Sequence, residues 1–286
     1  MTSLTVLSPC KLNLFLYITG RRPDGYHNLQ TLFSLLNYGD EMTFTPRDDG
    51  RIVIDGPFDF PVEKNLIYKA ALLLKERLPQ DRAATSGCSV RVLKRIPEGG
   101  GLGGGSSNAA TTLLILNKLW KVGLQEEELE SLGLTLGADV PVFVRGTAAF
   151  ASGVGEKLTS LTLPPSHAVV VTPEVAVNTK EAFADPDLKR DTPVRELNDL
   201  MLAPFGNDFT DTVVKKHPEI GLTLTSLLKY GPARLSGSGS SCYVLMDSSE
   251  AAAEAVKELN ATGRYKAVFA ADVLSLSPLH DVLQAL

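Results

Sequence analysis

A chain of 286 residues with 44% hydrophobic content can bury a sizeable core, arranged as one large domain or two modest ones. Its formal net charge of -5, with 21% charged residues, speaks against non-specific nucleic-acid binding, which relies on clustered Lys and Arg. Anionic ligands stay open, because backbone N–H groups can hold a phosphate without net positive charge.

Residues 12–18 alternate in a period of two and predict a strand. Leu12, Leu14, Leu16 and Ile18 then share one face, and Lys11, Asn13, Phe15 and Tyr17 the other. Taken alone, the Lys11–Asn13 face reads as the solvated side of an edge strand. Residues 19–26 are rich in turn formers and predict a loop. A helix is expected over 65–78, capped by Asn65, with Leu66, Ile67, Ala70, Leu74 and Leu78 on one stripe. A strand follows over 88–96, then a helix over 107–120 and another over 126–134 with acids in its first turn, as the helix dipole favours. Pro164 and Pro165 break the pattern and predict a junction between an N-terminal domain (1–163) and a C-terminal one (164–286). Beyond it, strands are expected over 168–171, 243–246 and 267–273, and helices over 222–230 and 249–259. This mixture predicts α+β rather than a regular βαβ array.

Cys10, Cys88 and Cys242 lie far apart, in no metal or redox spacing, and read as reduced thiols of a cytosolic protein. His27, His167, His217 and His280 are scattered, so no zinc site, and no metal ligand, is expected. The first seven residues lack a basic stretch followed by an apolar core, and no apolar run nears the roughly 20 residues that span a bilayer. A soluble, cytoplasmic protein without membrane or nucleic-acid partners is the expectation.

Three segments point to chemistry. Six of the seven residues from Gly99 to Gly105 are glycine, with Leu102 the exception, and Ser106, Ser107 and Asn108 lead into the 107–120 helix. Glycine loses the most freedom on ordering, so such a run at a helix mouth suits close backbone approach to a ligand. Its N–H groups, together with the helix N-terminus, suit a phosphate. A flexible linker is the alternative, but a linker belongs between units rather than between a strand and a helix. The run is no Walker loop, since Ser106 follows Gly105 where Lys would stand, and no dinucleotide fingerprint, since the positions near 125 open a helix. The second segment, Gly137-Ala-Asp-Val-Pro141, sets a lone acid between apolar neighbours. Asp139 reads either as a local turn residue or as the carboxylate that orients or deprotonates an alcohol during phosphoryl transfer. The third, Leu235-Ser-Gly-Ser-Gly-Ser-Ser-Cys242, is a glycine-rich turn ahead of a strand. It reads equally as support beneath a ligand site or as an ordinary turn.

Taken in order, these segments resemble the GHMP kinase superfamily, whose central glycine/serine-rich loop is matched by residues 96–110. The finer likeness is to members that act on a cytidine-diphosphate-linked sugar alcohol in isoprenoid precursor synthesis. It rests on Pro9-Cys-Lys-Leu-Asn-Leu-Phe15, residues 19–27, Leu29-Gln-Thr-Leu-Phe33, residues 137–143 and residues 236–240. The resemblance implies a two-domain α+β fold with the active site in the inter-domain cleft. It implies ATP as co-substrate with Mg²⁺, and transfer to the substrate's 2-hydroxyl. Lys11 and Asp139 are implied as the catalytic pair. Gly99, Gly100, Gly101, Leu102, Gly103, Gly104, Gly105, Ser106 and Ser107 are implied at the ATP phosphates, with Asn65 and Leu66 toward adenine. Tyr26 and His27 are implied at the cytosine, Phe183 on its other face, and Asn13 beside the substrate. Ser107 is the expected protein-side aid to Mg²⁺. Cys10 departs from the family's usual alanine and raises the expectation of an alkylatable thiol beside the site. The alternatives are another GHMP kinase, of homoserine or mevalonate type, and a non-catalytic nucleotide-binding member. The Asp24-Gly-Tyr-His27 loop counts against the first, and the presence of both Lys11 and Asp139 against the second. Monomer and homodimer are left open.

Overall fold

The computed structural model describes residues 3–286; Met1 and Thr2, the start of the stretch read above for a signal segment, lie outside the described residues. Strands β1 (Leu4–Arg21) and β2 (His27–Arg47) form one long antiparallel hairpin. Its turn is confined to 22–26, closed by Arg22 N–H to Tyr26 O at 2.8 Å, with Gly25 at φ +87°. The loop expected from residue 19 is therefore shorter, and the Leu29–Phe33 motif lies in β2. Leu32, Phe33, Leu35 and Leu36 are buried on both faces, so the run carries no alternation to read.

The period-two reading of 12–18 holds only in its first half. A bulge between Asn13 and Phe15 shifts the register. Beyond it Phe15 and Tyr17 join Leu12 and Leu14 in one apolar cluster, while Leu16 and Ile18 enter another. The extra residue re-aims the strand, as bulges do, and Lys11 and Asn13 remain on a common face.

The first half continues with β3 (Ile52–Asp55), α1 (Leu66–Lys75), α2 (Gln80–Thr85), β4 (Gly87–Leu93), α3 (Gly104–Leu119), α4 (Glu126–Leu136), α5 (Val140–Arg145), β5 (Ala149–Gly153) and β6 (Lys157–Ser160). The Asn65 side chain caps α1 by accepting Ile67 N–H. α3 begins three residues before the expected 107, inside the glycine run itself. It is buried on most of its circumference, and each fully buried side chain such as Leu113, Ile115 or Leu116 contributes about 1.5–3 kcal/mol. β4 stops at Leu93 rather than 96, because the next three residues turn inward to Asp40. In α4 a capping box joins Gln125 and Glu128.

The second half supplies β7 (His167–Pro173), α6 (Thr179–Ala184), α7 (Leu197–Leu202), α8 (Thr210–Lys216), α9 (Pro218–Leu227), β8 (Arg234–Leu235), β9 (Cys242–Met246), α10 (Ser249–Ala261), β10 (Tyr265–Leu274) and α11 (Leu279–Ala285). α9 starts four residues ahead of the expected 222, with Pro218 in its first turn, where the missing N–H is harmless. The free edge of β2 pairs in series with β5 (29–33), β10 (35–36) and β4 (41–47). Through β10 the sheet continues to β7, β9 and β8, so one sheet runs through both halves. Leu279 of α11 returns to the core cluster built on α1, α3 and β4.

Candidate active site

A cleft of about 1130 Å³ opens between the glycine run, the hairpin turn and the start of α6. Lys11 and Asn13 of β1 point into it. Lys11 is 3% exposed, and its ammonium donates to Asn13 Oδ1 at 2.5 Å and Gly101 O at 3.0 Å and forms an ion pair with Asp139 Oδ2 at 3.3 Å. The charge is thus paired and held by two hydrogen bonds, and an ammonium has three donors, so one remains for a ligand. Asn13 is fixed in turn, because its Nδ2 donates to Thr31 Oγ1 at 2.8 Å and Thr31 donates to Phe15 O at 2.6 Å. Asp139 stands at the N-cap position of α5, yet its side chain makes no cap bond and faces Lys11. The local-turn reading of Asp139 gives way to the cleft-facing one. The turn is immobilised from below, where Val140, Pro141, Val142, Phe143 and Val144 are all buried.

The glycine run wraps the N-terminus of α3. Ser107 N–H makes the first intrahelical bond, to Gly103 O at 2.8 Å. The N–H groups of Gly103, Gly104, Gly105 and Ser106 therefore form the open first turn, which has no intrahelical partners and favours an anion. Gly101 and Gly103 have φ of +71° and +74°. A Cβ on Gly101 would lie 2.3 Å from Ser236 O, and one on Gly103 would lie 2.9 Å from the Phe143 ring and 3.3 Å from Lys11 Cε. Ser106 faces the cleft, and its Oγ lies beside Gly137 in the Asp139 turn. Ser107 does not face it. Its side chain is fully buried, its hydroxyl pairs with Ser8 Oγ at 2.7 Å, and its N–H is taken by Gly103 O.

The turn at 235–242 packs beneath the glycine run rather than serving as an ordinary linker. Ser240 N–H and Ser241 N–H donate to Gly99 O and Gly100 O at 3.3 and 3.1 Å, and Ser236 Oγ donates to Gly101 O at 3.1 Å. The run's carbonyls are thereby tied down while its helix-end N–H groups face the cleft. Asn65 and Leu66 line the same wall. Asn65 commits its carbonyl oxygen to the cap of α1, which leaves its NH₂ group for the cleft.

At the other end, Tyr26 projects from the hairpin turn, 63% exposed, while His27 is 8% exposed. The Phe183 ring stacks on His27 itself, at 4.9 Å and 20°, so these two residues form one unit beside Tyr26. Burial first, then the Arg190 and Arg21 charges, hold the His27 imidazole below the usual histidine range. The thiol expected at Cys10 is fully buried, and burial pushes it well up, so it offers no thiolate to an alkylating agent.

Sequence reading missed three residues. Asp40, with no exposed surface, accepts from Lys94 Nζ at 2.5 Å, Arg95 N–H at 2.8 Å, Ile96 N–H at 2.9 Å and Asn108 Nδ2 at 3.0 Å, pinning the segment before the glycine run to α3. Lys94 itself lines the cleft beside Gly104. Arg190 holds His27 from behind. All three sit in ordinary mixed sequence, and only an acid preceding the strand-to-loop segment by some 55 positions would have hinted at Asp40.

Residues 65–147 match the N terminal domain of the GHMP kinases and residues 186–264 match the C terminal domain, and this chain belongs to the GHMP kinases. It is a small-molecule kinase of mixed α+β architecture with ATP as co-substrate, as the sequence resemblance implied. Among solved structures it is similar to a 4-(cytidine 5'-diphospho)-2C-methyl-D-erythritol kinase, at 34% identity and a TM-score of 0.82 over 94% of this chain and 99% of that one. This likeness supports ATP-dependent phosphorylation in isoprenoid biosynthesis. A homoserine kinase from Cytophaga hutchinsonii (17% identity, TM-score 0.65, 97% and 96% covered) shares the fold. So does the Methanococcus jannaschii mevalonate kinase (13%, 0.63, 96% and 99%). Among the described residues no helix is long and apolar enough to cross a membrane.

Proposed function

We propose that this chain transfers the γ-phosphate of ATP to the 2-hydroxyl of 4-(cytidine 5'-diphospho)-2C-methyl-D-erythritol, in the cytoplasm. The observation that carries the reading is the Lys11–Asp139 pair, 3.3 Å apart, in a cleft that also holds the glycine run and the Tyr26–His27 turn. Phosphoryl transfer needs little covalent help from the protein; it needs alignment and charge neutralisation. The open N–H groups of Gly103 to Ser106 take the phosphates of ATP, and Asn65 and Leu66 take the adenine end. Asp139 accepts the hydrogen bond, and then the proton, of the acceptor hydroxyl. Lys11 holds Asp139 in place and faces the oxygens on which charge grows. Asn13 keeps the lysine head aimed and meets the substrate. Tyr26 offers an aromatic face to the cytosine, with His27 at its edge and Phe183 behind.

Mg²⁺ suits this site. Asp139 and Ser106 bring hard oxygen donors to one side of the glycine run, and substrate phosphates with water complete such a shell. When bound, the ion would neutralise charge on the phosphoryl oxygens. In this reading the part before residue 164 binds ATP, and the part after it closes the cleft.

The test is phosphorus NMR of a reaction with ATP and the cytidylyl alcohol. The reading requires one new phosphomonoester resonance on the acceptor, matched to loss of the γ-phosphate. Release of inorganic phosphate alone, or a phosphate on another hydroxyl, contradicts it.

A further inference from the structure

Residues 186–196, between α6 and α7, form a strap without regular structure that crosses the turn end of the β1–β2 hairpin. Thr192 N–H donates to Ile18 O at 3.1 Å. The buried Gln30 side chain takes both backbone groups of Arg195, donating to its carbonyl at 2.7 Å and accepting its N–H at 3.0 Å. So anchored, the strap delivers Arg190 to the back of the cytidylyl end. The guanidinium donates Nη2 to Phe183 O at 2.8 Å and to Asp185 O at 2.6 Å, Nη1 to Leu188 O at 2.9 Å, and Nε to His27 Nε2 at 3.2 Å.

An arginine has donors only and stays charged. The ring nitrogen facing it must therefore present a lone pair. A protonated imidazole has none, so His27 is neutral, and its single proton resides on Nδ1. The Phe183 ring stacked on it fixes the plane of the imidazole, and the same guanidinium holds the Phe183 carbonyl. His27 and Phe183 line the cleft, whereas Arg190 stands outside its wall.

We propose that Arg190 is a positioning residue for the pyrimidine end of the substrate, one that presents His27 to the cleft as a fixed Nδ1–H donor and couples Phe183 to it. The inference rests on the cytidylyl reading above. Its ligand chemistry is specific: a ring carbonyl or an unprotonated ring nitrogen, as cytosine carries, meets that donor. Freed of Arg190, the imidazole can take either tautomer or a second proton, and the donor is no longer assured.

The experiment combines CDP and ADP affinities by calorimetry with the nitrogen-15 spectrum of His27 at neutral pH. Wild-type protein should bind CDP and show the proton on Nδ1. Arg190→Met should weaken CDP by up to about tenfold, the upper scale of one hydrogen bond between neutral groups. It should leave ADP affinity intact and bring the Nε2–H form into the spectrum. With full substrates, KM for the cytidylyl alcohol rises and kcat holds. An Nε2–H tautomer in the wild type overturns the inference without any variant, so the test survives a poorly folding Arg190→Met protein. Unchanged CDP affinity in that variant, or an equal loss of ADP affinity, overturns it as well. A wild-type protein that ignores CDP while binding ADP removes the cytidylyl reading itself, and the inference with it.

Discussion

Lys11 Nζ stands 3.3 Å from Asp139 Oδ2, and the two side chains differ in access: that of Lys11 is 4% exposed, that of Asp139 36%. The lysine is held by two hydrogen bonds besides this ion pair, whereas the carboxylate turns part of its surface to the cleft. A fixed cation beside an accessible carboxylate suits a hydroxyl that must be gripped, relieved of its proton and moved against a phosphoryl group. If Asp139 carries that proton, Asp139→Asn should bind ATP nearly as the wild type does and lose about 10²–10⁴-fold in kcat. Single-turnover rates beside nucleotide affinity check this; undiminished turnover removes Asp139 from the base role.

The glycine run makes two opposite predictions four residues apart. Gly101→Ala places a Cβ 2.3 Å from Ser236 O on a backbone at φ +71°, so backbone must shift in both glycine-rich turns. ATP affinity should fall and the unfolding midpoint with it. In Gly105→Ala the nearest atom is Leu66 Cδ1, at 3.7 Å. That variant should fold as well as the wild type, and any loss should appear only in nucleotide binding. Parallel thermal melts with and without ATP separate the two.

The site motifs were more legible in the sequence than the frame that carries them. Six glycines declare themselves because few structural roles need such a run, whereas Lys11 and Asn13, alone a plausible solvated strand face, were readable only beside the other motifs. Asp139 was readable only in company, since one acid in a turn has many uses. β2 hid as a continuous apolar run, which periodicity does not separate from a loop followed by a core segment. The bulge after Asn13 was hidden because an inserted residue leaves the composition unchanged while exchanging the faces of Phe15 and Leu16. Ser107 was placed at the phosphates by resemblance, with α3 expected to start there. Once the helix starts at Gly104, the same residue lies one turn inside and looks into the core. Arg190 is 163 positions from His27, a pairing that only the tertiary fold discloses.

All three thiols are buried, and burial pushes Cys88 up to about 12, with Cys10 and Cys242 raised further. The native protein should therefore resist a thiol-specific alkylating reagent at pH 8, with ATP present or absent. Three equivalents should react on denaturation. Prompt loss of activity through native Cys10 would contradict the burial argument.

His27 gives a pH signature with a definite sign. Its folded pKa lies below the unfolded value of about 6.5, so the unfolded chain takes the proton first. Stability from this residue is whole above that value and is lost as pH falls through the folded pKa. Urea midpoints at pH 7.5 and 5.5 should drop further in the wild type than in His27→Gln. Equal drops would mean that the imidazole titrates as freely when folded as when unfolded.

The central claim is that one cleft joins an ATP phosphate cradle to a cytidylyl-specific acceptor end. ADP release by the purified protein tests it most directly, with ATP and Mg²⁺ and three separate acceptors: 4-(cytidine 5'-diphospho)-2C-methyl-D-erythritol, homoserine and mevalonate. The account predicts rapid turnover with the cytidylyl alcohol and background release with the other two. Turnover with homoserine or mevalonate and none with the cytidylyl alcohol would contradict it.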